Sequence, residues 1–142
     1  MCLNIKQTFK TRKAARAFKP LITKRSRLVY KVGRSYGATG FISPHRYFKY
    51  TIGETVKIRS FGKEIINSWS NYEIDITKIN ITKGFHAWRS LKIAKRCRLN
   101  DEYNVYKCII PAGTPYYLGD DGDIVSLAIR PVGVAYRARV KS

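Results

Sequence analysis

Two strand-like runs flank an Asp-Gly turn in "YYLGDDGDIVSLAI", residues 116–129. Such a turn between β-forming residues predicts a tight antiparallel hairpin, because glycine takes positive φ at little cost. This commits the C-terminal third to an antiparallel sheet. Upstream, "NVYKCIIP" reads as another strand, and "PAGT" as a turn in which Gly113 takes positive φ. "GVAYRARV" reads as a last strand, with Val134, Tyr136 and Ala138 alternating against Arg137 and Arg139.

The remaining segments fit the same architecture. Leu3, Ile5 and Phe9 alternate, which suits a short strand or ordered arm. In "TRKAARAFKP", Thr11 caps a helix favoured by Ala14, Ala15 and Ala17, and Pro20 stops it. "SRLVYKVGR" predicts a strand with Leu28, Tyr30 and Val32 on one face and Arg27, Val29 and Lys31 on the other. The glycine, serine and aromatic content of "GRSYGATGFISPHRYFKY" reads as a long loop. "TVKIRSF", "YEIDITKINIT" and "GFHAW" read as strands, the second alternating through Tyr72, Ile74 and Ile76 before it shifts. Ser90 caps a helix over "SLKIAKRC", with Leu91, Ala94 and Cys97 inward and Lys92, Lys95 and Arg96 outward. No repeat or linker divides the chain. The expectation is one α+β domain over residues 1–142, mainly antiparallel sheet with two or so short helices. It comprises a basic segment, 1–27, and a core, 28–142.

Charge narrows the partners. The chain carries 28 Lys and Arg against 9 Asp and Glu, a net +19. Residues 1–50 hold 13 of the cations and no acid, the first being Glu54. A field of this sign repels itself in the free protein and attracts nucleic acid or another polyanion, including an acidic protein. Lys10, Arg12, Lys13, Arg16, Lys19, Lys24, Arg25 and Arg27 form the densest cluster, and Lys92, Lys95 and Arg96 a second. Repeated phosphates demand repeated cations, which a helix face and a following loop supply. Tyr36, Tyr47, Phe48 and Tyr50, beside Arg34 and Arg46, are candidates for stacking on unpaired bases, with core packing as the plainer alternative. No zinc-finger, RNA-recognition or helix-turn-helix pattern supports base-specific reading.

One residue carries the catalytic alternative. His86, between Phe85 and Trp88 in "GFHAW", has the ordinary pKa of a general acid/base near neutrality. A triad needs a carboxylate, for which Glu73, Asp75 and Asp123 are the candidates. The plainer alternative is a histidine packed at a strand–helix joint. The "VYKVGR", "GFHAW" and "IPAGTPYY" stretches are also faintly similar to an ADP-ribosyl-transferring architecture. Its activity needs a late glutamate, and none follows Glu102 here. His45 and His86 are too far apart in sequence to pre-organise a chelate, and "DDGD" lacks calcium-loop spacing. Neither "GRSYGATG" nor "GDDGD" has phosphate-loop spacing. No metal and no cofactor is expected.

Localisation signals are equally bare. No apolar region follows Lys6, Lys10 and Arg12, so a secretory signal is not expected. No run approaches the ~18 apolar residues of a membrane span, so integral membrane association is not expected either. Met1-Cys2 lacks the glycine of a myristoylation signal. Cys2, Cys97 and Cys108 form no disulfide framework, which suits reduced thiols in an intracellular protein.

Three stretches also carry a resemblance. "GFHAW", the short helix ending "AKR", and "IPAGT-YYLG-GDIVS" follow a G-F-H-A-aromatic and I-P-x-G-T-x-Y-Y-x-G-x-x-G-D-I-V-S pattern. In this the chain resembles small accessory proteins encoded by phages and large DNA viruses. The "MCL" opening and basic "TRKAAR" helix fit the same group. The likeness covers about two thirds of the chain and is weakest over residues 34–82. It implies a viral or mobile-element accessory protein, acting in the host cytoplasm or nucleus, and no particular activity. Charge leads to the expectation that such an accessory protein binds nucleic acid or another polyanion. A protein-interaction module, inhibiting a host factor or packing in a virion, is the alternative. A nucleotide-using enzyme centred on His86 is the third reading.

Overall fold

Residues 3–5, 8–44, 48–69, 75–98 and 102–138 are described by the computed structural model. In chain order they form β1 (Leu3–Asn4), α1 (Arg12–Ala17), β2 (Leu21–Ile22), β3 (Arg27–Tyr36), β4 (Gly40–Ile42), β5 (Lys49–Thr51) and β6 (Val56–Lys57). There follow β7 (Gly62–Trp69), β8 (Asp75–Lys83), β9 (Phe85–Trp88), α2 (Leu91–Arg96), β10 (Asn104–Ile110), β11 (Pro115–Leu118), β12 (Asp123–Ser126) and β13 (Ala128–Tyr136). Every pairing among them is antiparallel. The fold is α+β, mainly antiparallel sheet with two short helices among the described residues.

One sheet runs β2-β11-β12-β9-β3-β10-β13-β6, with β4 and β5 added beside β3. A three-stranded sheet runs β1-β8-β7. The Asp-Gly hairpin forms as its sequence predicts. Leu118 faces Ile124, Gly119 N–H donates to the Asp123 carbonyl at 3.0 Å, and Gly122 sits at φ 76°. Both helix caps form too. Thr11 Oγ1 accepts from Ala14 N–H at 3.1 Å, and Ser90 Oγ from Ile93 N–H at 3.2 Å. Each satisfies an amide that the first helical turn leaves without an intrahelical acceptor.

Residues 40–42 and 49–51 correct the expectation of a long loop. They form β4 and β5, joined to β3 as a meander around Gly37. Gly37 serves the turn at φ 66°, while Gly33 and Gly40, which also suggested a loop, serve close packing instead. A Cβ on Gly33 would lie 2.5 Å from the Phe41 ring, which stacks on Tyr106 at 3.8 Å between centroids. Of "TVKIRSF", strand pairing holds only Val56 and Lys57. Residues 62–69, unassigned from sequence, form a long strand against β8. In β8 the buried positions are Thr77, Ile79 and Ile81, and Tyr72 and Ile74 lie outside the described residues.

The core has three parts. Val29, Phe41, Tyr50, Phe85, Tyr106, Ile124 and Ile129 fill one face of the large sheet. On the opposite face, Val125 and Tyr117 meet Leu3, Ile5, Phe9, Ala15, Ile79 and Ile81. Beneath α2, Ala94 packs on Val32 and Val105. The basic segment 1–27 therefore contributes Leu3, Ile5, Phe9 and Ala15 to the core that it precedes. No described helix is long and apolar enough to cross a membrane.

Candidate functional site

The expected cationic cluster begins on α1. Ala15 is buried against the three-stranded sheet, which turns Arg12, Lys13 and Arg16 outward. Lys10 and Lys19 are exposed at its two ends. Phe18 anchors the exit, with its ring 5.2 Å from that of Phe9 and 5.9 Å from that of Tyr117. Lys63 donates to the carbonyls of Arg16 and Phe18, at 3.3 and 2.9 Å, and burial lowers its pKa. Its ammonium thus closes the helix end, where carbonyls lack partners and the dipole is negative.

Further along, Thr23 fixes the next cations. Its hydroxyl donates to the Pro111 carbonyl and accepts from Thr114 N–H, at 2.8 and 2.9 Å. Lys24 and Arg25 follow it and are exposed. Arg27 differs, because it is partly buried with its guanidinium 5.3 Å from the Tyr116 ring centre. None of Lys10, Arg12, Lys13, Arg16, Lys19, Lys24 and Arg25 has an acidic partner among the described residues.

The second cluster is on α2, a separate element packed on β3, β9 and β10. Lys92 and Arg96 are exposed. Lys95 is half-buried, with its ammonium 4.0 Å from the Tyr136 ring centre, and Arg98 lies 4.8 Å from the same ring. Lys95 is thus partly committed to its own fold. Cys97, expected inward, is exposed, while Leu91 is half-buried. Burial and the nearby charges of Asp121 and Asp123 raise the Cys97 pKa, against the pull of Arg96.

The stacking aromatics divide. Tyr50 is a core residue, 5.0 Å from Phe41 between stacked rings. Phe48 and Tyr36 are exposed, the latter under the Lys49 ammonium at 4.4 Å. Arg34 pairs with Glu102 at 3.2 Å on the surface. His45, Arg46 and Tyr47 lie outside the described residues.

His86 lines a cavity of about 250 Å³. The cavity exists because β3 and β9 pair only at Tyr30 and Trp88. Beyond that pair the strands separate, and Lys31 enters the fork. Its ammonium donates to the His86 carbonyl and lies 4.9 Å from the Tyr50 ring centre. Phe48, Tyr50, Phe85 and Trp88 provide aromatic walls, and Ser43, Thr82 and Lys83 provide polar groups. None of the described lining residues is acidic. Of the proposed triad carboxylates, Glu73 lies outside the described residues. Asp123 stands opposite Trp88, but its Oδ1 is buried toward Gly119.

Sequence reasoning missed Lys31. It reads as a polar position of an alternating strand, yet it is 6% exposed. Only the separation of two strands distant in sequence marks it. Nearby, burial pushes the Cys108 thiol up to about 12, with the Lys31 charge opposing the shift. The chain matches no protein-family model, no curated protein and no solved structure.

Proposed function

We propose that the protein binds a polyanion, nucleic acid first, through the basic surface that runs from α1 to the Thr23 turn. One observation carries this reading: Lys10, Arg12, Lys13, Arg16, Lys19, Lys24 and Arg25 are exposed without an acidic partner among the described residues. Folded elements hold these cations, so less ordering is required when phosphates arrive. Lys92 and Arg96 extend the field on α2. Binding is electrostatic and weakly specific.

The test is a salt titration of affinity for single- and double-stranded oligonucleotides. With about six phosphates engaged, affinity falls by roughly 10³ between about 50 and 200 mM salt. Reversal of Arg12, Arg16 and Arg25 weakens binding far more than reversal of Arg137. Salt-independent affinity, or no binding at low salt, overturns the proposal.

A second reading has its own support. Edge strand β2 presents Leu21 and Ile22 at 53% and 55% exposure, flanked by Lys19 and Lys24. That suits an acidic protein partner. Capture from lysate that survives nuclease, and is lost on Ile22→Lys, favours this reading over the first.

A further inference from the structure

The fork between β3 and β9 buries a positive charge without a negative one. Lys31 is 94% removed from solvent by the surrounding fold, since only 6% of it is exposed. Its ammonium has three donors, and the structure gives it one hydrogen bond, to the His86 carbonyl. The Tyr50 ring adds a cation–π contact. No carboxylate of the described residues pairs with it. A buried ammonium with such partial compensation is costly, and an incoming anion offsets that cost.

The space beside this cation is open. At about 250 Å³ it falls below the roughly 300–1,000 Å³ of drug-sized sites, which limits the occupant to a small molecule of at most mononucleotide size. Phe48 is 42% exposed at the cavity, an aromatic face that the fold leaves uncovered. With Phe85, 6.0 Å away between ring centres, it offers a surface for a planar ring. Lys83, exposed, adds a second cation.

We infer that this cavity binds a small planar anion, an aromatic ring carrying a phosphate or carboxylate and no larger than a mononucleotide. The anionic group pairs with Lys31 and the ring lies against Phe48 and Phe85. The site differs from the α1 surface in kind. It selects a single ring by shape, where the surface gathers many phosphates by charge.

Calorimetric titration of the full chain tests this with UMP, AMP and 4-hydroxybenzoate, beside uridine, adenosine, 4-hydroxybenzyl alcohol and inorganic phosphate. At least one aromatic anion binds, and its neutral counterpart and phosphate alone bind at least about tenfold more weakly. The nucleotide and carboxylate arms identify the source of the ring. Lys31→Met weakens binding by at least about tenfold without lowering the melting temperature of the free protein. If Lys31→Met does not fold, Lys83→Met takes its place and weakens binding by at least about threefold. Arg12→Glu/Arg16→Glu leaves this binding unchanged. The inference is overturned if no aromatic anion binds in the millimolar range, or if a neutral ring or phosphate alone binds as tightly. It is equally overturned by unchanged affinity in the lysine variant, or by loss of binding in the α1 variant.

Discussion

The Lys63 ammonium lies 2.9 Å from the Phe18 carbonyl oxygen, which also accepts from the Tyr117 hydroxyl at 3.3 Å. A strand residue thereby fixes the exit of a helix distant in sequence. Lys63→Met removes two hydrogen bonds to carbonyls at the helix end and costs about 1–3 kcal/mol. Thermal unfolding measures the loss. Hydrogen exchange locates it, with faster exchange at Ala15 and Phe18 than in β10.

Gly119 allows the Asp123 carboxyl its place. A Cβ there would lie 2.0 Å from Asp123 Oδ1 and 2.9 Å from Leu3 Cγ. Gly119→Ala therefore forces apart the hairpin tip and β1, and destabilises by about 1–3 kcal/mol. Gly113→Ala strains a positive φ but meets no neighbouring atom within 4 Å, so its cost is backbone strain of about 1–2 kcal/mol. Chemical denaturation of both variants compares the two mechanisms. Perturbation reaching Leu3 is specific to the first.

Burial raises the Asp123 pKa, and the charges of Asp120 and Asp121 add to the shift, while backbone N–H groups of Asp123 and Asp121 oppose it. The folded protein holds this proton more tightly than the unfolded chain, so protonation favours folding. This contribution grows as pH falls through the raised folded value and levels off below the unfolded value of 3.8. The melting temperature of the wild type should therefore rise relative to that of Asp123→Asn as pH falls from neutrality to the unfolded value of 3.8. A difference independent of pH contradicts the assignment.

The cysteines should separate by access and ionisation. Cys97 is exposed but has a raised pKa, so iodoacetamide labels it only at more alkaline pH than a free cysteine. Cys108 is buried with a pKa near 12 and should react only after unfolding. Peptide mass spectrometry of timed labelling resolves both sites.

What could be read from sequence was local. Thr11, Ser90 and the Asp-Gly turn act within three or four residues, so both caps and the hairpin are found where their spacing places them. The cationic segment was equally legible, because charge needs no tertiary partner to be counted. Gly33 misled, since its reason is Phe41 lying across it, a contact that loop composition imitates. Period two holds only at the start of β3, where Leu28 is 45% exposed and Val29 buried; it breaks at Lys31 and Val32, both buried because both faces of the strand are covered there. His86 was visible as a candidate. Its cavity was not, because it depends on where β9 leaves β3 and on a lysine entering the gap.

The attachment of β1 bears on how the chain acquires its structure during synthesis. Leu3 pairs with Ile81, and Ile5 bridges to Gly119. β1 is thus synthesised well before the hairpin that completes it. Contacts so remote in sequence form slowly and after local ones. Until Thr77 to Ile81 have emerged, Leu3, Ile5 and Phe9 lack their β8 partners beside a dense run of positive charge, and only Gly119 completes the bridge to Ile5. A nascent chain at this stage is exposed to both apolar and anionic traps. Ribosomal RNA is the nearest polyanion to it.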